Sequence, residues 1–142
     1  MEPDSPVDLA KRLLGAVTAR DERRVAAFYA EDAIFRMAGV PRAFGGVVEG
    51  REAIMENFRR QPPASHDVQV AFGTDRQACV VAKREGTIPT TQTFRGSDQP
   101  FATYECMVFR FEDGRVKEQT AYVNWLDAYV QAGLVDLGSL LT

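Results

Sequence analysis

The spacing of hydrophobic residues predicts helices in the first part of the chain. The apolar stripe of the first helix consists of Val7, Ala10, Leu13, Leu14 and Val17. These residues recur every three or four positions, as they do on one face of a helix, and Ser5 precedes them as a capping residue. Similar patterns predict a second, short helix that begins after Asp21 and a third helix over residues 51–60. A short strand over residues 32–40 is predicted between these two helices.

After Pro62 and Pro63 the apolar residues alternate with polar ones, which is typical of strands. The predicted strands cover residues 68–72, 78–88, 101–111 and 116–124, and a short helix follows over about residues 125–132. Asp113-Gly114, between the last two strands, is a residue pair that favours a two-residue type I′ hairpin turn. Helices first and antiparallel strands afterwards predict one α+β domain over residues 1–142, with helices on one face of a bent sheet.

The hairpin turn predicts which side chains share a face of the sheet, because directly opposed residues point the same way. With Glu112 opposite Arg115, one face holds Phe111, Phe109, Met107, Glu105, Thr103, Val116, Glu118, Thr120, Tyr122 and Asn124. This face is apolar near the turn and polar farther away, as in a small-molecule cavity. The other face mixes small apolar and charged residues, and we expect it to join two copies of the chain in a homodimer. A one-residue bulge would exchange the two faces.

Composition narrows the classes of function. The chain has 142 residues, of which 45% are hydrophobic and 26% charged, and its net charge is −3. This composition is typical of a globular protein. Because Lys and Arg do not outnumber Asp and Glu, we expect no nucleic-acid partner. The polar start of the sequence does not resemble a signal peptide, and no apolar run approaches the roughly 18 residues of a membrane-spanning helix. We therefore expect a soluble, cytoplasmic protein without membrane contact.

The cysteines and the single histidine give little support for a metal site. Cys79 and Cys106 fall within predicted strands and are interpreted as small buried hydrophobic residues. His66 follows the two prolines in what reads as a loop, so we expect a solvated imidazole. With one histidine and no Cys-x-x-Cys pair, neither a metal nor another cofactor is expected.

The order of elements and several short motifs resemble the nuclear transport factor 2-like superfamily, above all its SnoaL-like group. The resembling segments are FYAEDA at 28–33, GREAI at 50–54, Gly86-Thr87 and residues 111–134. The resemblance implies a cone-shaped, cystatin-like α+β roll, in which a strongly bent, mixed sheet wraps around three N-terminal helices and a short C-terminal helix follows. The superfamily includes ketosteroid isomerases, epoxide hydrolases, dehydratases and polyketide cyclases, so the fold alone does not define the reaction.

The positions that carry chemistry in this superfamily differ in the present chain. Asn124 stands where members often have a catalytic aspartate before the final helix, and Ile88 follows Gly86-Thr87 where they often have a histidine. Arg84 matches only the arginine of the Arg-x-Asp motif of the epoxide hydrolases. Epoxide hydrolysis by the mechanism of that group is therefore not expected.

Glu105 is the strongest candidate for a catalytic residue. The predicted register directs it into the cavity beside Tyr122 and Asn124. An apolar wall raises the pKa of a carboxyl group, which suits a general base that removes a proton next to a carbonyl. Tyr122 and Asn124 would then stabilise the enolate by hydrogen bonds. The alternative is a structural ion pair between Glu105 and Arg84.

The remaining candidate residues are predicted to contact a substrate. Arg84 either binds an anionic group through two parallel hydrogen bonds or lies on the other face of its strand. Asp127 either reaches the cavity mouth or only complements the helix dipole. The predicted wall consists of Thr103, Met107, Tyr29, Phe35, Met37, Phe58 and Trp125. Three functions are compatible with these features: a cofactor-free isomerase, cyclase or dehydratase acting on a polyketide- or steroid-like carbonyl compound, a non-catalytic binder of a small hydrophobic molecule, and a dimerisation module.

Overall fold

The computed structural model of the protein describes residues 4–40, 42–88, 99–131 and 138. The helices are α1 (Pro6–Thr18), α2 (Glu22–Phe28), α3 (Arg51–Arg60) and α4 (Trp125–Gln131). The strands are β1 (Tyr29–Ala38), β2 (Val47–Glu49), β3 (Ala64–Gly73), β4 (Gln77–Ile88), β5 (Gln99–Glu112) and β6 (Arg115–Val123). The hydrophobic pattern thus predicted these four helices and every strand except β2, whose three residues are too few to show an alternation. Within the described ranges, no helix is long and apolar enough to cross a membrane.

Side-chain caps fix where the first two helices begin. The Ser5 hydroxyl accepts a hydrogen bond from the Asp8 N–H at 3.2 Å, and the Asp8 carboxylate accepts one from the Ser5 N–H at 3.4 Å. This reciprocal pair is a capping box, which satisfies two N–H groups that have no partner within the helix. Asp21 caps α2 through the Arg24 N–H. Both capping positions agree with the sequence prediction.

The six strands form one mixed sheet in the order β2-β1-β6-β5-β4-β3. Strand β1 runs parallel to β6, and the other neighbours are antiparallel. The buried core lies between this sheet and the first three helices; its largest fully buried side chains are Phe109, Leu13, Val25, Val80 and Val116. The predicted α+β roll, with a bent sheet around three N-terminal helices, is therefore confirmed.

The turn between β5 and β6 is the predicted type I′ hairpin. Asp113 and Gly114 both have positive φ, at 52° and 74°, as this turn requires. The pairing begins as predicted, with Glu112 opposite Arg115. Lys117 is then an extra residue in β6, since Arg110 pairs with Glu118 while its neighbour Phe111 pairs with Val116. This β-bulge shifts the register of the rest of β6 by one residue.

The bulge makes one part of the predicted face assignment wrong. Beyond Lys117, the side chains of Gln119 and Ala121 turn towards the helices, while Tyr122 turns outwards and is 53% exposed. Glu105 keeps its predicted inward direction because the alternation along β5 does not change, and it is buried. Glu105 and Tyr122 therefore lie on opposite faces of the sheet.

Two glycines allow a paired test of the backbone. Gly114 has φ of 74°, so Gly114→Ala is expected to lower the free energy of unfolding by about 1 kcal/mol. Gly15 lies inside α1, and an added Cβ there would meet nothing within 4 Å. Gly15→Ala is therefore expected to raise the same free energy by about 0.5–1 kcal/mol. Urea unfolding of both variants measures these changes, and an equal effect of the two substitutions would contradict the assignment of the turn.

Candidate functional site

A cavity of about 120 Å³ lies between the helices and the concave face of the sheet. Five of the residues that were predicted to form its wall do line it: Tyr29, Phe35, Met37, Phe58 and Met107. They come from β1, α3 and β5, which meet at this point because alternate residues of the strands face the helices. Most of the wall is thus apolar, as in a small-molecule binding site.

The polar end of the cavity is formed by Glu105 and His66. Their side chains are only 5% and 7% exposed, and Glu105 Oε1 lies 3.2 Å from His66 Nε2. This contact does not have the geometry of a hydrogen bond, and Oε1 accepts none from the residues that the structure describes. A buried carboxylate oxygen without a hydrogen bond is costly, and this oxygen lies at the cavity.

The position of His66 corrects the sequence prediction of a solvated loop histidine. His66 lies in β3, opposite Arg84 of β4, and its side chain points into the cavity. Its backbone N–H donates to Thr18 Oγ1 at 3.1 Å, and its ring Nδ1 lies 3.2 Å from the same oxygen. The signal was present in the sequence, since His66 stands in phase with Ala64 and Val68, the half-buried residues of β3.

Arg84 lies beside this pair. Its side chain lines the cavity, and its guanidinium lies 5.1 Å from the centre of the Phe101 ring, within the distance of a cation–π contact. Burial lowers the pKa of Arg84, and the negative charge of Glu105 opposes that shift. The arginine therefore brings a buried positive charge close to the Glu105 carboxylate on the concave side, and the predicted alternative, a position on the other face of its strand, is wrong.

Gln119 is a cavity residue that the sequence prediction did not include. It accepts a hydrogen bond from the Tyr29 hydroxyl at Oε1, and its amide nitrogen lies 3.7 Å from Met107 Sδ. Burial raises the pKa of Tyr29 far above its usual value, so the phenol keeps its proton. Gln119 was missed because the unbulged register placed it on the outer face of the sheet.

Other predicted site residues lie away from the cavity. Asn124, which was expected beside Glu105, caps α4 instead: its Oδ1 accepts the Asp127 N–H at 3.0 Å. Asp127 is exposed in the first turn of that helix, where its charge complements the helix dipole. Thr103 is buried but does not line the cavity, and the Trp125 side chain lies outside the described part of the structure.

The two cysteines lie on the outer face of the sheet. Cys79 and Cys106 are half-buried rather than fully buried as predicted, and their sulfur atoms are 3.6 Å apart. In the described ranges, no three histidine, cysteine, aspartate or glutamate residues are grouped so that they could hold a metal ion.

Solved structures show that this architecture is shared. A protein described as a SnoaL-like polyketide cyclase from Shewanella putrefaciens superposes with a TM-score of 0.78 at 18% identity, covering 92% of this chain and 97% of that one. A protein with a ketosteroid isomerase-like fold from Catenulispora acidiphila, solved in complex with trimethylamine, gives a TM-score of 0.75 at 18% identity over 93% and 96% of the two chains. An epoxide hydrolase from M. tuberculosis gives 0.73 at 16% identity over 96% and 94%. At these identities the likeness concerns the fold alone.

Sequence comparison defines the family. No curated protein matches the chain in sequence. The SnoaL-like domain, in contrast, matches residues 10–119, which include most of the cavity wall together with His66, Arg84 and Glu105. The matched segment extends over more than half of the 142 residues. The chain therefore belongs to the family of SnoaL-like domains.

Proposed function

We propose that the protein binds a small hydrophobic carbonyl compound in the cavity and that Glu105 removes a proton from the carbon next to the carbonyl. The observation that carries this proposal is the buried Glu105 Oε1, which has no hydrogen-bond donor among the described residues. A base at the end of an apolar cavity is shielded from water. Its carboxylate therefore interacts with the bound molecule and not with solvent. Because Oε1 accepts no hydrogen bond from the described residues, its lone pairs can accept a proton from that molecule.

The surrounding residues suit the charge changes of this reaction. When Glu105 takes the proton, the electrons of the C–H bond form an enolate, whose oxygen becomes negative. Arg84 supplies positive charge, and His66 supplies an N–H donor when Nε2 carries its proton; both line the same cavity. In a substrate with a C=C bond next to the carbon that loses the proton, return of the proton to the far carbon of that bond moves the double bond, gives an isomer and restores the Glu105 carboxylate. In this scheme the protein's own residues make every proton transfer.

The size of the cavity limits the substrate. An engineered protein cavity of about 150 Å³ holds one benzene ring, and the present cavity measures about 120 Å³. We therefore propose a substrate whose buried part has the size of a single ring. The fused rings of a steroid or a polycyclic polyketide would extend beyond this space.

A non-catalytic binder is the second candidate function. It is favoured by Asn124, which stands where members of this family often have a catalytic aspartate and which here caps α4. A binding protein would use the same cavity and would hold a carbonyl compound without removing its proton.

Deuterium exchange separates the two candidates without knowledge of the natural substrate. Cyclopentanone, cyclohexanone and a β,γ-unsaturated cyclohexenone are incubated with the protein in D₂O, and the loss of their α-proton signals is followed by NMR. We expect exchange faster than in buffer that contains an equal concentration of acetate as a general base. If the protein accelerates exchange of none of these ketones, while one of them still binds, the cavity belongs to a binder.

We further propose that the outer face of the sheet joins two copies of the chain. Tyr104 and Tyr122 expose 61% and 53% of their surface on this face, next to Cys106 and Val81. The same face carries charges of both signs, including the Arg110–Glu118 pair at 3.1 Å. Mixed charges around an apolar patch suit an isologous contact, because each patch must complement its own copy.

Light scattering after size exclusion tests this proposal. We expect a mass of twice the 15.8 kDa chain, and we expect Tyr104→Glu to shift the protein towards the single-chain mass. Leu126→Glu is the control, because Leu126 is similarly exposed but lies in α4, whose Ala128 packs against Phe101 on the concave side of the sheet. A wild-type protein of single-chain mass would refute the dimer.

A further inference from the structure

A second arginine, Arg20, lies at the cavity and takes no part in the proposed proton transfer. Its guanidinium lies 4.2 Å from the centre of the Phe58 ring, and Nη1 donates a hydrogen bond to the Phe58 carbonyl oxygen at 3.2 Å. These two contacts hold the planar head group in place. Its other N–H groups have no hydrogen-bond partner among the described residues, so they are open to a ligand.

The backbone at Arg20 is one that favours glycine. Arg20 has φ of 57° and follows Ala19, the C-cap of α1. Its N–H donates to the Val17 carbonyl oxygen, and the Asp21 N–H donates to that of Ala16. This is a helix-ending pattern in which glycine is the common residue, since a Cβ is disfavoured at such φ. The chain thus has a long side chain at a position whose φ favours glycine, and its positive charge also complements the dipole at the end of α1.

The charges along the cavity are unequal. Arg20 and Arg84 line it, and Glu105 is the one carboxylate among its described lining residues. The amides of Asn57 and Gln61, which are half-buried, lie along the same wall and add hydrogen-bonding groups without charge. A ligand with one negative charge would neutralise Arg20, whose guanidinium has no carboxylate partner among the described residues.

We propose that the ligand is a small carboxylic acid, bound as its anion. Its carboxylate pairs with Arg20, its ring-sized apolar part fills the space between the helices and the sheet, and its carbonyl end lies near Glu105. A planar guanidinium binds a carboxylate through two parallel N–H bonds, and the contacts with Phe58 leave such an edge available. Only the role of Glu105 in this arrangement rests on the proposed function; the binding of the anion by Arg20 does not.

Two matched probes test the anion site by binding alone. Cyclohexanecarboxylate and cyclohexanecarboxamide have almost the same shape and differ in charge, and calorimetry at low salt gives the affinity of each. We expect the wild-type protein to bind the acid about tenfold to a hundredfold more tightly, the effect of a charge-assisted hydrogen-bond pair. In Arg20→Gln this preference should disappear while the affinity for the amide stays the same. In Arg20→Lys part of the preference should remain.

Controls separate this effect from unfolding and from general surface charge. Arg20→Gly should lose the preference with little change in melting temperature, because glycine suits the backbone at this position. Arg59→Gln removes an exposed arginine of α3 that pairs with Glu22 outside the cavity, and it should keep the preference.

Each outcome bears on the proposal. Equal affinity for the two probes, no binding of either at millimolar concentration, or a preference that survives in Arg20→Gln would overturn it. A preference for the acid without any deuterium exchange of ketones supports the anion site and removes the catalytic role of Glu105. Deuterium exchange of a ketone without a preference for the acid over the amide would exclude Arg20 as an anion site and would leave the proposed proton transfer by Glu105 in place.

Discussion

Replacing Glu105 with glutamine is expected to slow the deuterium exchange of a bound ketone by about 10²–10⁴-fold, the contribution of a positioned general base. Glutamine has the shape of glutamate but cannot take up a proton from carbon at neutral pH. The change is measured as the exchange rate at saturating ketone, together with the ketone affinity. Because the amide still fills the same space at the end of the cavity, the affinity should change much less than the rate.

Glu118→Gln is the matched control for this experiment. Glu118 lies on the neighbouring strand but on the outer face, where it pairs with Arg110. Its replacement should leave the exchange rate unchanged. An exchange rate that is the same in Glu105→Gln and wild type would exclude Glu105 as the base and would leave the cavity with a binding role.

Replacing Phe109 with alanine is expected to lower the free energy of unfolding by about 3–5 kcal/mol. Phe109 has no exposed surface and stacks on Phe111, with the ring centres 6.0 Å apart. It lies in the middle of the core between the sheet and the helices, so its removal leaves a cavity that close-packed neighbours fill only in part. Urea unfolding of the variant gives the loss directly.

Phe72→Ala removes the same side chain from a position that is 60% exposed in strand β3. It should change the free energy of unfolding by no more than about 0.5 kcal/mol, as is usual for surface substitutions. Similar losses for Phe109→Ala and Phe72→Ala would contradict the assignment of Phe109 to the core, because burial is the main difference between the two positions.

The fold was predictable where local chemistry decides the backbone. Ser5 and Asp21 cap their helices because side-chain oxygens satisfy open N–H groups, and that requirement can be read from sequence. Asp113-Gly114 forms its turn because both residues tolerate positive φ. The three-residue strand β2 was missed because its hydrogen bonds to β1 are tertiary contacts that leave no pattern in so short a segment.

The site was predictable only in part, and the misses have two physical causes. Glu105 was placed correctly because alternation along β5 is undisturbed, whereas Tyr122 was misplaced by the bulge at Lys117. A bulge of this kind accepts many residue types, so the sequence carries no clear signature of it. His66 was missed for another reason: two prolines suggested a loop, and this outweighed the alternation of Ala64, His66 and Val68 that marks the start of β3.

The extra residue in β6 has an evolutionary consequence. If Lys117 paired with Arg110 instead of forming the bulge, Glu118, Thr120 and Tyr122 would reach the concave side in place of Gln119, Ala121 and Val123. Loss of the bulge with every residue retained could thus replace a whole wall of the binding chamber without any change in the helices. Substitutions that remove or create a bulge at this point offer descendants of the same scaffold a short path to new ligands.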